Sequence, residues 1–249
     1  MGDRPQAATG NNRGFRAKLA PMVSAFFKAF NDLGNPRLRV YLWQTVLLSL
    51  TTAILVWGGL SWALFNTEMV GELPWVGGLI EMAADYLGVA VAFVLMVFLL
   101  PAFMGLYASF YIEAICSVLE ARHYPGIAQP KKQTILEGLK ISVKFAILLI
   151  TLNILLLPLI FIPPVYFIAG WAINGFLLGR EYLEMVGFRR MNEDEIVAYR
   201  TSKNGTIYMT GLVLALVATI PLVNLLLPFL GTSMMLHCFE RTRPKKISG

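Results

Sequence analysis

The residues of this chain that can do chemistry are few, and one short segment concentrates them. In Gly34-Asn35-Pro36-Arg37-Leu38-Arg39 an asparagine, a favoured helix N-cap, precedes a proline, which suits the first helical position. A helix that starts there presents unpaired backbone N–H groups and the positive end of its dipole. Arg37 and Arg39 add two fixed cations within the same turn, and Gly34 permits close approach. That combination suits an oxyanion such as sulfate or phosphate. Arginines at the end of a membrane helix equally set topology or bind lipid phosphate, so two uses of the same residues stand side by side.

No catalytic constellation is legible. The phosphate-cradling GxxxxGKS/T loop, the HExxH zinc helix and the GxSxG nucleophile elbow are all absent from the sequence. His123 and His237 lie far apart, each at the end of an apolar segment, and read as separate interfacial anchors. Cys116 and Cys238 have neither CxxC spacing nor a third ligand and read as small buried hydrophobes. No catalytic residue, metal or cofactor is therefore expected. Chemistry on lipid head groups would have to draw on Glu113 or on the run Glu193-Asp194-Glu195, and a solvated loop accounts for that run.

Polar groups placed to line a pathway are Glu113, Glu120, Arg122, Asn174, Arg180, Glu181 and Asn224. Arg180 and Glu181, with Glu184, can equally form an exposed helical cluster. No Asp, Glu, Lys or Arg interrupts the core of an apolar segment, which speaks against a proton relay or a sodium-coupled pump.

The elements that must position these groups follow from composition. Of 249 residues 57% are apolar and only 14% charged, against roughly 25% charged in a typical globular protein. So few charges cannot cover a soluble surface. A soluble enzyme, a disordered linker and a disulfide-rich secreted module are excluded, which leaves a polytopic membrane protein. The net charge of +6 sits beside long apolar runs rather than along a stripe, so no nucleic-acid partner is expected.

Two charge-free stretches, 40–65 and 86–112, exceed the roughly 20 residues a spanning helix needs, and Pro101 is placed to kink the second. A third, 145–179, contains Pro158, Pro163 and Pro164, and a fourth, 206–236, contains Pro221 and Pro228. Proline ends or bends a helix, so each is either one kinked span or a hairpin that returns to its own side. Charge placement favours hairpins. The loop 66–85 carries Glu68, Glu72, Glu81 and Asp85 but none of the 21 lysines and arginines. The positive-inside rule puts that loop outside and both termini in the cytoplasm.

The expected fold is an all-α integral membrane protein. It has two long transmembrane helices, two proline-broken, partially inserted helical hairpins, and an amphipathic helix on the cytoplasmic surface. Helical spacing of apolar residues from Lys18 to Leu33 marks that surface helix, which can also pack on the protein itself. Gly175 and Gly179 form a GxxxG pair suited to close helix packing. Residues 1–16 read as a disordered cytoplasmic tail, 17–243 as a single membrane domain, and 244–249 as a basic tail.

Further motifs are Leu119-Glu120-Ala121-Arg122, Arg200-Thr201-Ser202-Lys203 and Ile220-Pro221-Leu222-Val223-Asn224-Leu225. Pro228, Gly231, Met235 and Cys238-Phe239-Glu240-Arg241 follow. In these residues the chain resembles the CysZ family of bacterial sulfate permeases, part of a wider group of etoposide-induced-protein-like membrane proteins, over most of residues 20–243. The resemblance implies a homo-oligomer of the bacterial inner membrane that passes sulfate inward for cysteine synthesis without hydrolysing ATP. It also implies a sulfate site at the start of the first long helix, built on a Pro-Gly-Leu-Arg-Arg type of sequence. Leu38 and Arg39 match the leucine and first arginine of that pattern, whereas Val40 replaces the second arginine and Arg37 stands in the glycine position. The other use of these features is a non-catalytic membrane scaffold or lipid-binding protein with half-inserted helices.

Overall fold

The computed structural model describes residues 23–66, 77–127, 130 and 135–243. The two tails, the first residues of the expected surface helix and residues 67–76 of the acidic loop lie outside them. All regular structure among the described residues is helical. In chain order the helices are α1 (23–32), α2 (Pro36–Phe65), α3 (Gly77–His123), α4 (Ile135–Leu156), α5 (Pro163–Gly187), α6 (Glu193–Ser202), α7 (Asn204–Ala218), α8 (Pro221–Asn224) and α9 (Leu227–Thr242). A 3-10 segment, Leu157–Phe161, joins α4 to α5.

Among the described residues, three helical segments are long and apolar enough to cross a membrane: Pro36–Phe65, Ala84–His123 and Val143–Phe161. The third adds to the two stretches expected to span; the sequence leaves residues 145–179 as either one kinked span or a hairpin, with charge favouring the hairpin. The third segment reaches this length because the 3-10 segment carries the helical path from Val143 on through Pro158 to Phe161. Pro101 lies within α3 without ending it. At 1.5 Å per residue the 40 residues Ala84–His123 extend about 60 Å, twice the roughly 30 Å of a hydrocarbon core. The apolar part of α3 alone fills such a core, and its last turns bear the polar Glu113, Glu120, Arg122 and His123.

The chain divides into two compact units, residues 39–111 and the remainder. In the first, α2 and α3 run antiparallel. Tyr41 meets Tyr111, Trp57 meets Phe93 and Phe65 meets Tyr86, with ring centroids 5.3–5.9 Å apart. Thr45, Ser49 and Ala53, four residues apart, form a small-residue row buried along α2, which allows the backbones to approach. Their hydroxyls are satisfied within the helix, Thr45 donating to the Tyr41 carbonyl and Ser49 to that of Thr45. Leu47, Ile54, Leu55, Phe93 and Phe98 stay exposed, as side chains that face lipid do.

The second unit is built around α9. Phe229, Met234, Met235, Leu236 and Phe239 are fully buried there, with Ile115 and Leu119 from the end of α3, Leu183 from α5 and Ile196 from α6. Helices α5 and α7 touch through glycine. The expected GxxxG pair does meet a partner, since Gly211 lies against Gly175 and Gly179. Gly231 of α9 likewise admits the ring of Tyr182. Helix α1 buries Ala25, Ala29 and Asp32, while Phe27 and Phe30 are 67% and 62% exposed. The run Glu193-Asp194-Glu195 is not a loop as expected but the first turn of α6. Asn192 and Glu195 form a capping box there, and three acids suit the positive end of the helix dipole. Lys144 pairs with Glu193.

Candidate functional site

The junction of α1 and α2 forms as its residues dictate. Asn35 N–H donates to the Asp32 carbonyl at 2.9 Å, and Asn35 Oδ1 accepts from Arg37 N–H at 2.9 Å. Pro36 has no N–H to satisfy, and the Arg37 N–H is taken by the Asn35 side chain rather than by a carbonyl four residues back. The helix start is thus largely capped by its own asparagine, and an anion there must lean on side-chain cations. Leu38 is buried and pins the turn, while Gly34 and Arg37 are exposed. A Cβ on Gly34 would sit 3.2 Å from the Asn31 carbonyl, tighter than ordinary contact.

Asn35, Pro36 and Arg37 line one wall of an open cleft of about 340 Å³, and Val118, Ala121 and Arg122 of α3 line the other. The cation that joins Arg37 is therefore Arg122, which the sequence suggested only as a pathway residue. Arg39 is exposed and does not line this cleft. Two positions along a helix turn a side chain by about 200°.

Behind Arg122 lies a buried polar cluster. Asp32, 1% exposed, receives His123 Nε2 on Oδ1 at 2.7 Å and His237 Nε2 on Oδ2 at 2.8 Å. Ser233 Oγ donates to Oδ2 at 2.9 Å, and Arg122 Nη1 lies 3.4 Å from Oδ1. The Tyr124 hydroxyl meets His237 Nδ1 at 2.9 Å. Burial pushes the Asp32 carboxyl up, but the hydrogen bonds from His237, His123 and Ser233 outweigh it and hold the group below its ordinary value. Burial lowers the His237 imidazole despite Asp32, and it drives the Tyr124 hydroxyl up to about 12. A neutral His237 that donates from Nε2 and accepts at Nδ1 satisfies every partner.

The two histidines are thus not separate anchors. Their rings stand 4.8 Å apart, edge to face. The cluster escaped sequence reasoning because its members sit 91 and 205 positions from Asp32. One signal was available: Asp32 continues the Ala25–Ala29 row, and an acid on a buried row needs partners.

A second cleft, of about 290 Å³, opens along Glu113, Ser117, Glu120 and the turn Tyr124-Pro125-Gly126, where Gly126 adopts φ +86°. Arg189 pairs with Glu113 and, at 2.9 Å, with Glu120; Arg190 lies 2.8 Å from Glu120 and 3.5 Å from Glu240. Arg243 closes the chain of charges on Glu240 at 2.7 Å. Sequence reasoning singled out neither Arg189 nor Arg190, although adjacent arginines just after an apolar helix were the visible signal. Burial raises the Glu240 carboxyl in spite of Arg243 and Arg190.

The other expected pathway residues line neither cleft. Arg180 pairs with Glu184 at 2.6 Å, which Arg200 also reaches at 3.2 Å. Glu181 is half-buried beside them, Asn174 is exposed on α5, and Asn224 is half-buried at the end of α8.

No curated protein matches the chain. The profile of the family described as sulfate transporter CysZ/etoposide-induced protein 2.4 matches residues 25–228, which include every residue lining the two clefts. Asp32 and His123 fall inside the match, and His237 just beyond it. By a match over most of its length, the chain belongs to the sulfate transporter CysZ/etoposide-induced protein 2.4 family.

Proposed function

We propose that this protein conducts sulfate or a closely related oxyanion across a bacterial inner membrane, as a homo-oligomer that hydrolyses no ATP. The observation that carries the reading is one cleft at the start of a membrane-length helix with a guanidinium on each wall, Arg37 and Arg122. Arginine offers forked donors to tetrahedral oxyanions, each charge-assisted bond contributing about 1.5–3 kcal/mol. Gly34, Asn35 and Leu38 shape the turn, and Arg39 supplies charge near the mouth.

In this reading residues 17–243 act as a single membrane domain with both termini cytoplasmic. Helices α2 and α3 span, while α4–α5 and α7–α9 are hairpins that turn at their prolines. Support for the second hairpin is length: the 15 residues of α7 reach about 22 Å, short of a hydrocarbon core. Support for the first is charge: a full crossing would carry Arg180, Arg189, Arg190, Arg200 and Lys203 outside. Glu113 and Glu120 at the second cleft, and Asn174, Arg180, Glu181 and Asn224 beyond it, belong to the path past the mouth. Inward movement of a divalent anion costs roughly 4.6 kcal/mol per 100 mV of negative-inside potential. Net uptake then depends on an external excess, rapid consumption inside, or a coupled ion.

Calorimetric titration of sulfate into the full chain in detergent tests the mouth. Arg37→Ala and Arg122→Ala should each weaken binding about 10-fold or more, the equivalent of one charge-assisted bond. Chloride should compete weakly. Native affinity in both variants would contradict the assignment. The exposed Val23, Phe27 and Phe30 of α1 favour a second reading, a lipid-binding scaffold. Binding to anionic vesicles without any sulfate affinity would select it.

A further inference from the structure

We propose that Asp32, His123 and His237 form a binding site for a zinc-class divalent metal ion. Three elements distant in sequence, α1, α3 and α9, bring one donor atom each to the same place, all within 4.8 Å of one another. Both imidazoles aim Nε2 at the carboxylate, one at each oxygen, at 2.7 and 2.8 Å. Two imidazole nitrogens and a carboxylate oxygen suit zinc, cobalt or nickel, whereas magnesium and calcium require more oxygen ligands.

A zinc ion 2.0–2.2 Å from each donor sets neighbouring donors about 3.3 Å apart in a tetrahedron. The two histidine–carboxylate contacts, at 2.7 and 2.8 Å, then open slightly, and donors that now lie up to 4.8 Å apart draw together, both by rotation of side chains about their own bonds. A fourth position remains for water.

The surrounding groups fit a metal as well as a proton network. When Nε2 binds the ion, the His237 proton moves to Nδ1 and is donated to the Tyr124 oxygen, 2.9 Å away. A hydrogen bond to the far nitrogen is the usual support of a metal-bound histidine. Ser233 holds Asp32 Oδ2 from the other side at 2.9 Å. Arg122 sits 3.4 Å from the carboxylate and is 40% exposed, so it can turn into the neighbouring cleft as an ion arrives. Access runs past Arg122 and His123, which are partly exposed, toward Asp32 and His237, which are not. Nothing here depends on which anion, if any, the protein carries.

The test uses the full chain in detergent, stripped with chelator, and titrated with zinc chloride by calorimetry and with cobalt chloride by absorption. One equivalent per chain should bind, and cobalt should develop the visible bands of a four-coordinate nitrogen and oxygen site. Tyr124→Phe should weaken zinc about 10–100-fold, as loss of a supporting hydrogen bond does. His123→Asn, at the partly exposed ligand, should weaken it further while eluting as the native chain does. Absence of zinc uptake by the native chain overturns the site, as does native affinity in a well-folded His123→Asn. Should that variant misfold, the cobalt spectrum decides: six-coordinate bands, or none, overturn the site.

Discussion

Replacing Gly211 with alanine tests the packing on which the second unit stands. A Cβ there would lie 2.6 Å from the Gly179 nitrogen and 2.8 Å from its Cα, and it would overlap the Gly175 carbonyl. Ordinary heavy-atom contact is about 3.5–4.0 Å, so α5 and α7 must part by roughly an ångström. The obstacle is backbone on both sides, and no rotamer can relieve it. Overpacking at the top of the usual range costs about 3 kcal/mol. Alanine returns up to about 1 kcal/mol through lower helix entropy, leaving a net loss of about 2 kcal/mol. For a chain of this size that lowers the melting temperature by roughly 4–8 °C. Thermal unfolding in detergent, followed by tryptophan fluorescence, reads the shift. Gly105→Ala is the control, because a Cβ there meets nothing within 4 Å. Equal melting temperatures for the two variants would refute the close α5–α7 contact.

Glu120→Ala removes the carboxylate that Arg189 and Arg190 share, leaving two largely buried guanidinium groups undercompensated. A loss of about 3–5 kcal/mol is expected by the same unfolding assay, and unchanged stability would contradict the network. Because burial raises the Glu240 carboxyl, the folded chain keeps a proton that the unfolded chain releases. Its contribution therefore falls as pH rises from about 4.3 through the folded value. Glu240→Gln lacks that fall, so its melting temperature should gain on the native one across that window; a gap independent of pH would oppose this. Asp194→Cys places a thiol on the exposed first turn of α6, while native Cys116 and Cys238 are buried. Labelling in cells should require a membrane-permeant reagent. Reaction with an impermeant reagent added from the periplasm would overturn the same-side hairpins.

Much of the fold was legible because it is written locally. The proline positions mark where α4, α7 and α8 end or begin, Asn35-Pro36 marks the start of α2, and Gly175 and Gly179 mark a face that does pack closely. The length of α3 was not legible: its charged last turns continue the helix beyond the apolar stretch that defined it. The proposed mouth was half legible. Spacing pointed to Arg37 and the helix start, but it paired Arg37 with its sequence neighbour Arg39, and the cleft that Arg37 lines is shared with Arg122 instead. Long-range partners leave no local trace. Nothing in the spacing around His123 says that it shares Asp32 with His237, nor does anything around Glu120 announce Arg189.

Uptake of radiolabelled sulfate by proteoliposomes that contain only this protein, with and without an imposed proton gradient, bears most directly on the conduit. The native chain should accumulate label in at least one of the two conditions, and the Arg37→Ala, Arg122→Ala double variant should fall to the level of empty vesicles. Native protein that never exceeds empty vesicles would contradict sulfate conduction. A double variant that matches the native chain would contradict the mouth at Arg37 and Arg122.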